Sequence, residues 1–500
     1  MADGDPGKEP QFAIWVISTL AGEVRKLIDR SERGSFSPDL AGSQIAFWKD
    51  DKYWVMSQNG GSPKEIMTLD PRYDFQGPKW SPDGQRLLYR KNKFGSRDGV
   101  IEARTIADGS TTTLHKGSGL QDFWWTADGR LIYSEAGTAE DIHDLWEVRV
   151  DPKTARRTSE PRRLTRWVGY TPGLVSVSKD GNRIVTTKGY HQTDVYVAEI
   201  EPDGRRMKPE RRLTRDTRYD WPGGWTMDGK EILFSSDRNG VFNVFKQGES
   251  NSDAELIVGG KEDSRAPQIS PDGKWVLFMV WPDTRSTRPV RIMRSPASGG
   301  PAHAVLEAQG SFARGVTFSV DGGQDIEKGG PRNYPDFRCP SSENASCVLA
   351  EAEHDEIVFT FFDALQGRRG EAGRVRALPS KFFWDLSPDG SRVAYGEFKS
   401  ENNDFISILT LKDGATRQLQ LPGHSNLTSV AWAAGARGLF ITTKRREGSD
   451  LLHVGLDGNV SLLREDTGRM FINPRPSRNG RLLAFGIRTT DSNVWLLEMK

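Results

Sequence analysis

Residues 80–89 read "WSPDGQRLLY", and near-copies stand at 270–278, "SPDGKWVLF", and 387–395, "SPDGSRVAY". Each joins a tight turn to an alternating apolar segment. Proline fixes φ early in the turn, aspartate bonds back to its own backbone, and glycine accepts a positive φ. Looser copies fill the intervals. Taking Asp39, Asp83, Asp128, Asp180, Asp228, Asp272, Asp389, Gly435 and Asn479 as markers, neighbours lie 44, 45, 52, 48, 44, 117, 46 and 44 residues apart. The gap of 117 takes one expanded repeat, with its turn at Asp321 or its strands in "FRCPSSENASCVLAEA".

Around each marker the parts recur. A short strand enters on an aromatic or aliphatic residue such as Trp80, Trp225 or Leu386, and the turn follows. Next come an apolar second strand ("RLLYR", "EILFSS", "WVLFMV"), a third ("DLWEVRV", "DVYVAEI") and often a polar fourth, "RRLTR" at 162–166 and 211–215. Four short antiparallel strands every 44–50 residues are one propeller blade. The expected fold is therefore all-β, a β-propeller of about ten four-stranded blades. Propellers typically hold 4–8 blades, so ten suggest two rings, with a single large ring or a nested pair as the other readings.

The expected domains are a flexible leader over 1–11, a first propeller over 12–257 and a second over 258–500. The last repeat ends at "NVWLLEMK" without a fourth strand, and 12–28 reads as two strands with no partners before them. An N-terminal strand completing the C-terminal blade would remove an exposed edge.

Composition narrows the function. Lys+Arg number 69 against 68 Asp+Glu, a net charge of +1, which argues against a nucleic-acid partner. The longest apolar run, "WVLFMVW" at 275–281, falls far short of the roughly 20 residues a membrane helix needs. The start, "MADGDPGKEP", has no apolar signal core. Cys339 and Cys347 are too widely spaced for a CxxC site. A hairpin would bring them within disulfide reach, which would imply an oxidising compartment; two separate buried thiols is the other reading.

The segments "SPDGKWVLF", "FSSDRNGVFNVFK" and "RRLTRDTRYDW" resemble TolB-type propeller repeats. The order of "PQFAIWVISTLAGEVRKL", "RDTRYDWPGGWTMDGKEILFSSDRNG", "FRCPSSENASCVLAEA", "FFWDLSPDG" and "DSNVWLLEMK" is more specific. It resembles the C-terminal propeller region of acidobacterial receptor serine/threonine kinases and winged-helix regulators. That resemblance covers the chain from about residue 10 to its end. It implies an extracytoplasmic sensor or scaffold module in the periplasm or at the cell surface. In relatives a membrane-anchored kinase or regulator is attached. The sequence itself contains no kinase, winged helix or membrane helix, and its stretch 310–335 is longer than usual for the family.

No catalytic constellation stands out. There is no GxSxG elbow, Walker loop, GxGxxG or EF-hand pattern, so no catalytic residue, metal or cofactor is assigned. The seven histidines are scattered without paired ligand spacing. The alternative is a metal-dependent hydrolase or lyase built at a channel mouth from distant blades.

Ligand contacts are expected on the loops that lead into each inner strand. Two are nearly identical: "RYDFQGPKW" with Tyr73 and Asp74, and "RYDWPGGW" with Tyr219, Asp220 and Trp221. A third, "LQDFWW", carries Asp122. Aromatics beside carboxylates suit a sugar, peptide or cationic group. The structural reading is that the aromatics pack between blades and the aspartates cap turns. The leading expectation is a non-enzymatic module binding a protein, peptide or glycan.

Overall fold

The computed structural model describes residues 12–499 apart from 18–23, 32–35, 40–41, 94–97, 137–142, 167–170, 173–175, 179, 217, 252, 283–288, 309–334, 378–381 and 398–403. The leader over 1–11 and nearly all of 310–335 lie outside the described residues. Among them, every regular element is a strand, and eight antiparallel sheets have four strands in chain order. A six-stranded and a two-stranded sheet complete the set.

The repeated turn has a chemical reason. In "SPDG" the Ser81 hydroxyl donates to Asp83 Oδ1 at 2.5 Å, and Asp83 Oδ1 accepts from the Gln85 backbone N–H at 3.0 Å. Ser81 Oγ in turn accepts from the Arg86 N–H at 2.9 Å. Ser270 with Asp272 and Thr226 with Asp228 repeat the arrangement, as does Ser477 with Asn479. Gly84 and Gly273 sit at φ 68° and 73°, the left-handed region that a side chain disfavours. The motif is thus a self-bonded hairpin between a blade's first and second strands.

The chain forms two compact units, Met1–Gly189 with Ser492–Lys500, and Tyr190–Asp491. The expected division near 258 falls elsewhere: it lies between Glu255–Val258 and Asp263–Ile269, which are consecutive strands of the second unit. The reason is topological. The chain leaves the first unit within the strand Arg183–Glu199 and returns to it within Leu482–Glu498.

In the first unit, four-stranded blades begin at Phe36–Pro38, Tyr73–Trp80 and Phe123–Trp125. Residues 183–189 and 492–498 supply a further blade, fixed at one end by the Met499 N–H donating to the Asn182 carbonyl at 2.8 Å. The strands Phe12–Ile17 and Val24–Ser31 pair with each other in a separate sheet, not with the C-terminal strand. Ile14 and Ile28 bury their side chains against Phe47 and Met56 of the first blade.

The second unit has six blades. Five are four-stranded, with inner strands Asp220–Trp225, Asp263–Ile269, Asp336–Arg338, Phe382–Leu386 and Leu427–Trp432. The sixth is assembled from both ends of the unit. Arg469–Pro476 pairs with 482–491, which pairs with 190–199, which pairs with Arg211–Arg212. An apolar core fills each of the six junctions between successive blades. At the last junction Val195, Val197 and Ala484 pack on Trp225, Ile232 and Phe234. Each blade therefore buries both faces, which explains second strands as apolar as "WVLFMVW". At roughly 25 cal/mol per Å² of apolar surface, these junctions dominate stability. The Trp225 indole adds a polar clasp, donating to the Arg475 carbonyl at 2.8 Å.

Candidate functional site

Where the six inner strands of the second unit end and the SPDG-type turns begin, their side chains converge on a cavity of about 120 Å³. One position per blade decides its chemistry. It stands at the turn end of the inner strand, one residue before Trp225, Ile269, Cys339, Leu386, Trp432 or Pro476. The six occupants are Gly224, Gln268, Arg338, Asp385, Ala431 and Arg475.

Small residues on two blades make room. A Cβ on Gly223 would stand 2.2 Å from the Pro267 carbonyl oxygen, so the first two blades approach more closely there than any side chain allows. Gln268 is used as scaffold. Its amide donates to the Phe337 carbonyl at 2.7 Å and accepts from the Cys339 N–H at 2.9 Å. Arg338 is held by both carboxylates near it, with Nη1 2.8 Å from Asp336 and Nε 3.2 Å from Asp385. The other Asp385 oxygen accepts from the Trp432 N–H at 2.8 Å. Burial pushes the Asp385 carboxyl up, against the pull of Arg338 and Arg475.

Arg475 differs. Among the described residues it forms no ion pair; its Nη1 reaches only its neighbour's Pro474 carbonyl, at 3.4 Å. Its Nε is buried without an acceptor. Burial, with repulsion from Arg338, pushes its guanidinium down to about 10, while Asp385 and Asp336 oppose that shift. It stays charged at neutral pH. Arg478, on the sixth blade's turn, donates to the Ser341 carbonyl of the third blade at 3.1 Å. Ser341 lies in a loop closed by the Cys339–Cys347 disulfide, whose Cα atoms are 4.2 Å apart. That loop rests on the fourth blade through the Ser342 N–H and the Pro388 carbonyl, 3.0 Å apart.

The residues singled out from sequence lie elsewhere. Asp220 begins an inner strand, at its other end from the cavity, and is fully buried against Arg238 at 3.2 Å. Burial pushes its carboxyl up to about 6, with Asp216 adding to the rise and Ser236 and Arg238 opposing it. Tyr219 donates its N–H to Asp237 at 2.9 Å, and Arg488 lies over the Trp221 ring, 5.1 Å from its centre. In the first unit Asp74 pairs with Arg90 at 3.2 Å, and Asp122 pairs with Lys79. Tyr73 lines a separate cleft of about 460 Å³ with Phe75, Tyr89 and Lys91. The structure thus gives each of the three aspartates a basic partner and does not gather the six residues into one site.

Sequence reading passed over Arg338, Asp385 and Arg475. The available signal was a charged residue just before the turn, in "FRC", "WDLS" and "PRPS", where the other three blades of the second unit carry Gly224, Gln268 and Ala431. Among the described residues no three His, Cys, Asp or Glu side chains converge as metal ligands.

The sheets and turns are those of TolB-like propeller blades. No protein-family profile matches the chain. It is similar to an uncharacterized Agrobacterium fabrum protein, 27% identical over 216 residues, covering 40% of this chain and 67% of that one. A Bacillus subtilis protein described as an uncharacterized peptidase is 24% identical over 208 residues, covering 40% and 28%. The Tol-Pal system protein TolB of Wolinella succinogenes is 27% identical over 124 residues, covering 24% and 27%. The chain therefore spans between about a quarter and two thirds of these relatives' lengths. Among solved structures, TolB from Acinetobacter baumannii is 14% identical, covering 64% of this chain and 59% of that one, with a TM-score of 0.20. A putative TolB from Agrobacterium tumefaciens is 19% identical, covering 49% and 85%, also at 0.20.

Proposed function

We propose that this chain is a non-enzymatic binding propeller, a sensor or scaffold module of the cell envelope. Its ligand is a protein, peptide or glycan, and the binding site is the turn-side mouth of the six-bladed unit. The observation that carries this reading is Arg475, a guanidinium turned into a cavity without an ion-pair partner among the described residues. A rigid ring that converges one side chain per blade on a concave site is suited to recognition. The disulfide supports a location outside the cytoplasm, because such bonds persist in oxidising compartments. Among the described residues no helix is long and apolar enough to cross a membrane.

The test is a thermal-shift screen of the purified chain against envelope peptides, glycans and divalent cations, with metal analysis alongside. A ligand of the native state raises the melting temperature. A shift with peptide or glycan, without turnover, supports the binding module. A shift confined to a divalent cation, together with cleavage of a glycan or ester substrate, overturns it.

A further inference from the structure

We propose that the mouth of the six-bladed unit takes a single carboxylate, anchored by Arg475. This rests on the binding-module reading and specifies its ligand. Three guanidinium groups, of Arg338, Arg475 and Arg478, stand at the mouth. Arg338 is engaged by Asp336 and Asp385, and Arg478 by the Ser341 carbonyl. Asp385 is engaged on both oxygens, by Arg338 and by the Trp432 N–H. Of the three, Arg475 alone has a buried donor, its Nε, without an acceptor among the described residues, and its Nη1 reaches only the Pro474 carbonyl at 3.4 Å. A buried donor without an acceptor is costly, and a planar fork of N–H groups matches a carboxylate in bidentate fashion.

Charge and size choose among anions. Three guanidinium groups face three carboxylates, Asp336 and Asp385 beside Arg338 and Glu343 near Arg478, so the mouth holds no surplus charge to offset a dianion and a monoanion at the Arg475 fork is favoured. A phosphate dianion would face Asp385. A cavity of about 120 Å³ holds a carboxylate and a short stem. Trp225, Leu386 and Pro476 supply apolar walls for that stem. The carboxylate is either the end of a peptide or a free small acid, and the two sources are separable.

The experiment is calorimetric titration of the full chain at constant ionic strength with Ala-Ala-Ala, its C-terminal amide, acetate, succinate and inorganic phosphate. The expected result is saturable binding of the free tripeptide, at least tenfold weaker for the amide and for phosphate. Binding of acetate at least as tight as the tripeptide assigns the site to free monoacids, whereas succinate binding tighter than both overturns the single carboxylate. Weaker binding of acetate and succinate assigns it to peptide ends. Arg475→Gln is expected to weaken the preferred acid at least tenfold, and Arg475→Lys, which keeps the charge but not the fork, to weaken it less. Equal affinity for tripeptide and amide, or no saturable binding of any acid, overturns the proposal without any variant. Saturable binding of the amide that Arg475→Gln leaves unchanged overturns the carboxylate while the binding-module reading stands. Turnover of a substrate by the unmodified chain would instead remove that reading.

Discussion

The Arg478 guanidinium donates to the Ser341 carbonyl at 3.1 Å, joining the sixth and third blades of the second unit. In a ring of six these blades stand opposite each other, so the bond spans the mouth of the cavity that Arg475 lines. The third blade presents that carbonyl because the Cys339–Cys347 disulfide closes the loop carrying it.

Replacing Arg478 by alanine is expected to free the 340–346 loop. A hydrogen bond from a charged group is worth about 1.5–3 kcal/mol at most here, and the partial exposure of Arg478 argues for the lower end. Amide hydrogen exchange across 341–346 should quicken while exchange in Trp275–Trp281 stays unchanged. Unchanged exchange in the loop would mean that the bond does not hold it.

Removing the disulfide by the double change Cys339→Ala and Cys347→Ala should cost about 2–3 kcal/mol, from the loop-closure entropy of a short ring. Urea unfolding of oxidised and variant protein measures the difference. The same preparation should show no titratable thiol before reduction. Two free thiols in protein purified under air would contradict the pairing.

Gly223 and Gly224 separate two kinds of small residue at the cavity. A Cβ at Gly223 meets the Pro267 carbonyl oxygen at 2.2 Å, whereas at Gly224 its nearest neighbour is Gln268 Cα at 3.4 Å. Gly223→Ala should destabilise by about 1–3 kcal/mol through overpacking, and Gly224→Ala by clearly less. Melting temperatures of the pair decide it, and equal losses would refute the close approach.

Asp220 should make stability fall as pH rises. Its native carboxyl titrates near 6, above the ordinary value of 3.8. The unfolded chain therefore loses this proton first. The contribution is fully present below about pH 4 and is lost as pH rises through 6. A shift of this size corresponds to something on the order of 2–3 kcal/mol. Asp220→Asn, which cannot ionise, should flatten the pH profile of the urea midpoint between pH 4 and 6. A variant profile parallel to the unmodified chain's would show that another group carries the dependence.

The blades were legible because their information is local. Ser81, Asp83 and Gly84 build one turn from contacts within six residues, and the same chemistry recurs at Ser270 and Thr226. The apolar second strands follow from burial on both faces. Tyr73, Asp74, Asp122, Tyr219, Asp220 and Trp221 also caught the eye through repetition, and the structure gives the three aspartates basic partners. Repetition marks what every blade shares, whereas a site rests on how blades differ.

Local sequence therefore determined the blade, its turn and the number of repeats, since each depends on neighbours a few residues away. Tertiary structure decided the rest. The division into units depends on pairing 190–199 with 482–491, segments nearly three hundred residues apart that carry no mutual signal in a single sequence. The cavity likewise exists only once six inner strands meet. Arg338, Asp385 and Arg475 are ordinary charged residues until ring closure places them around one axis, where their charges interact and one guanidinium is left over.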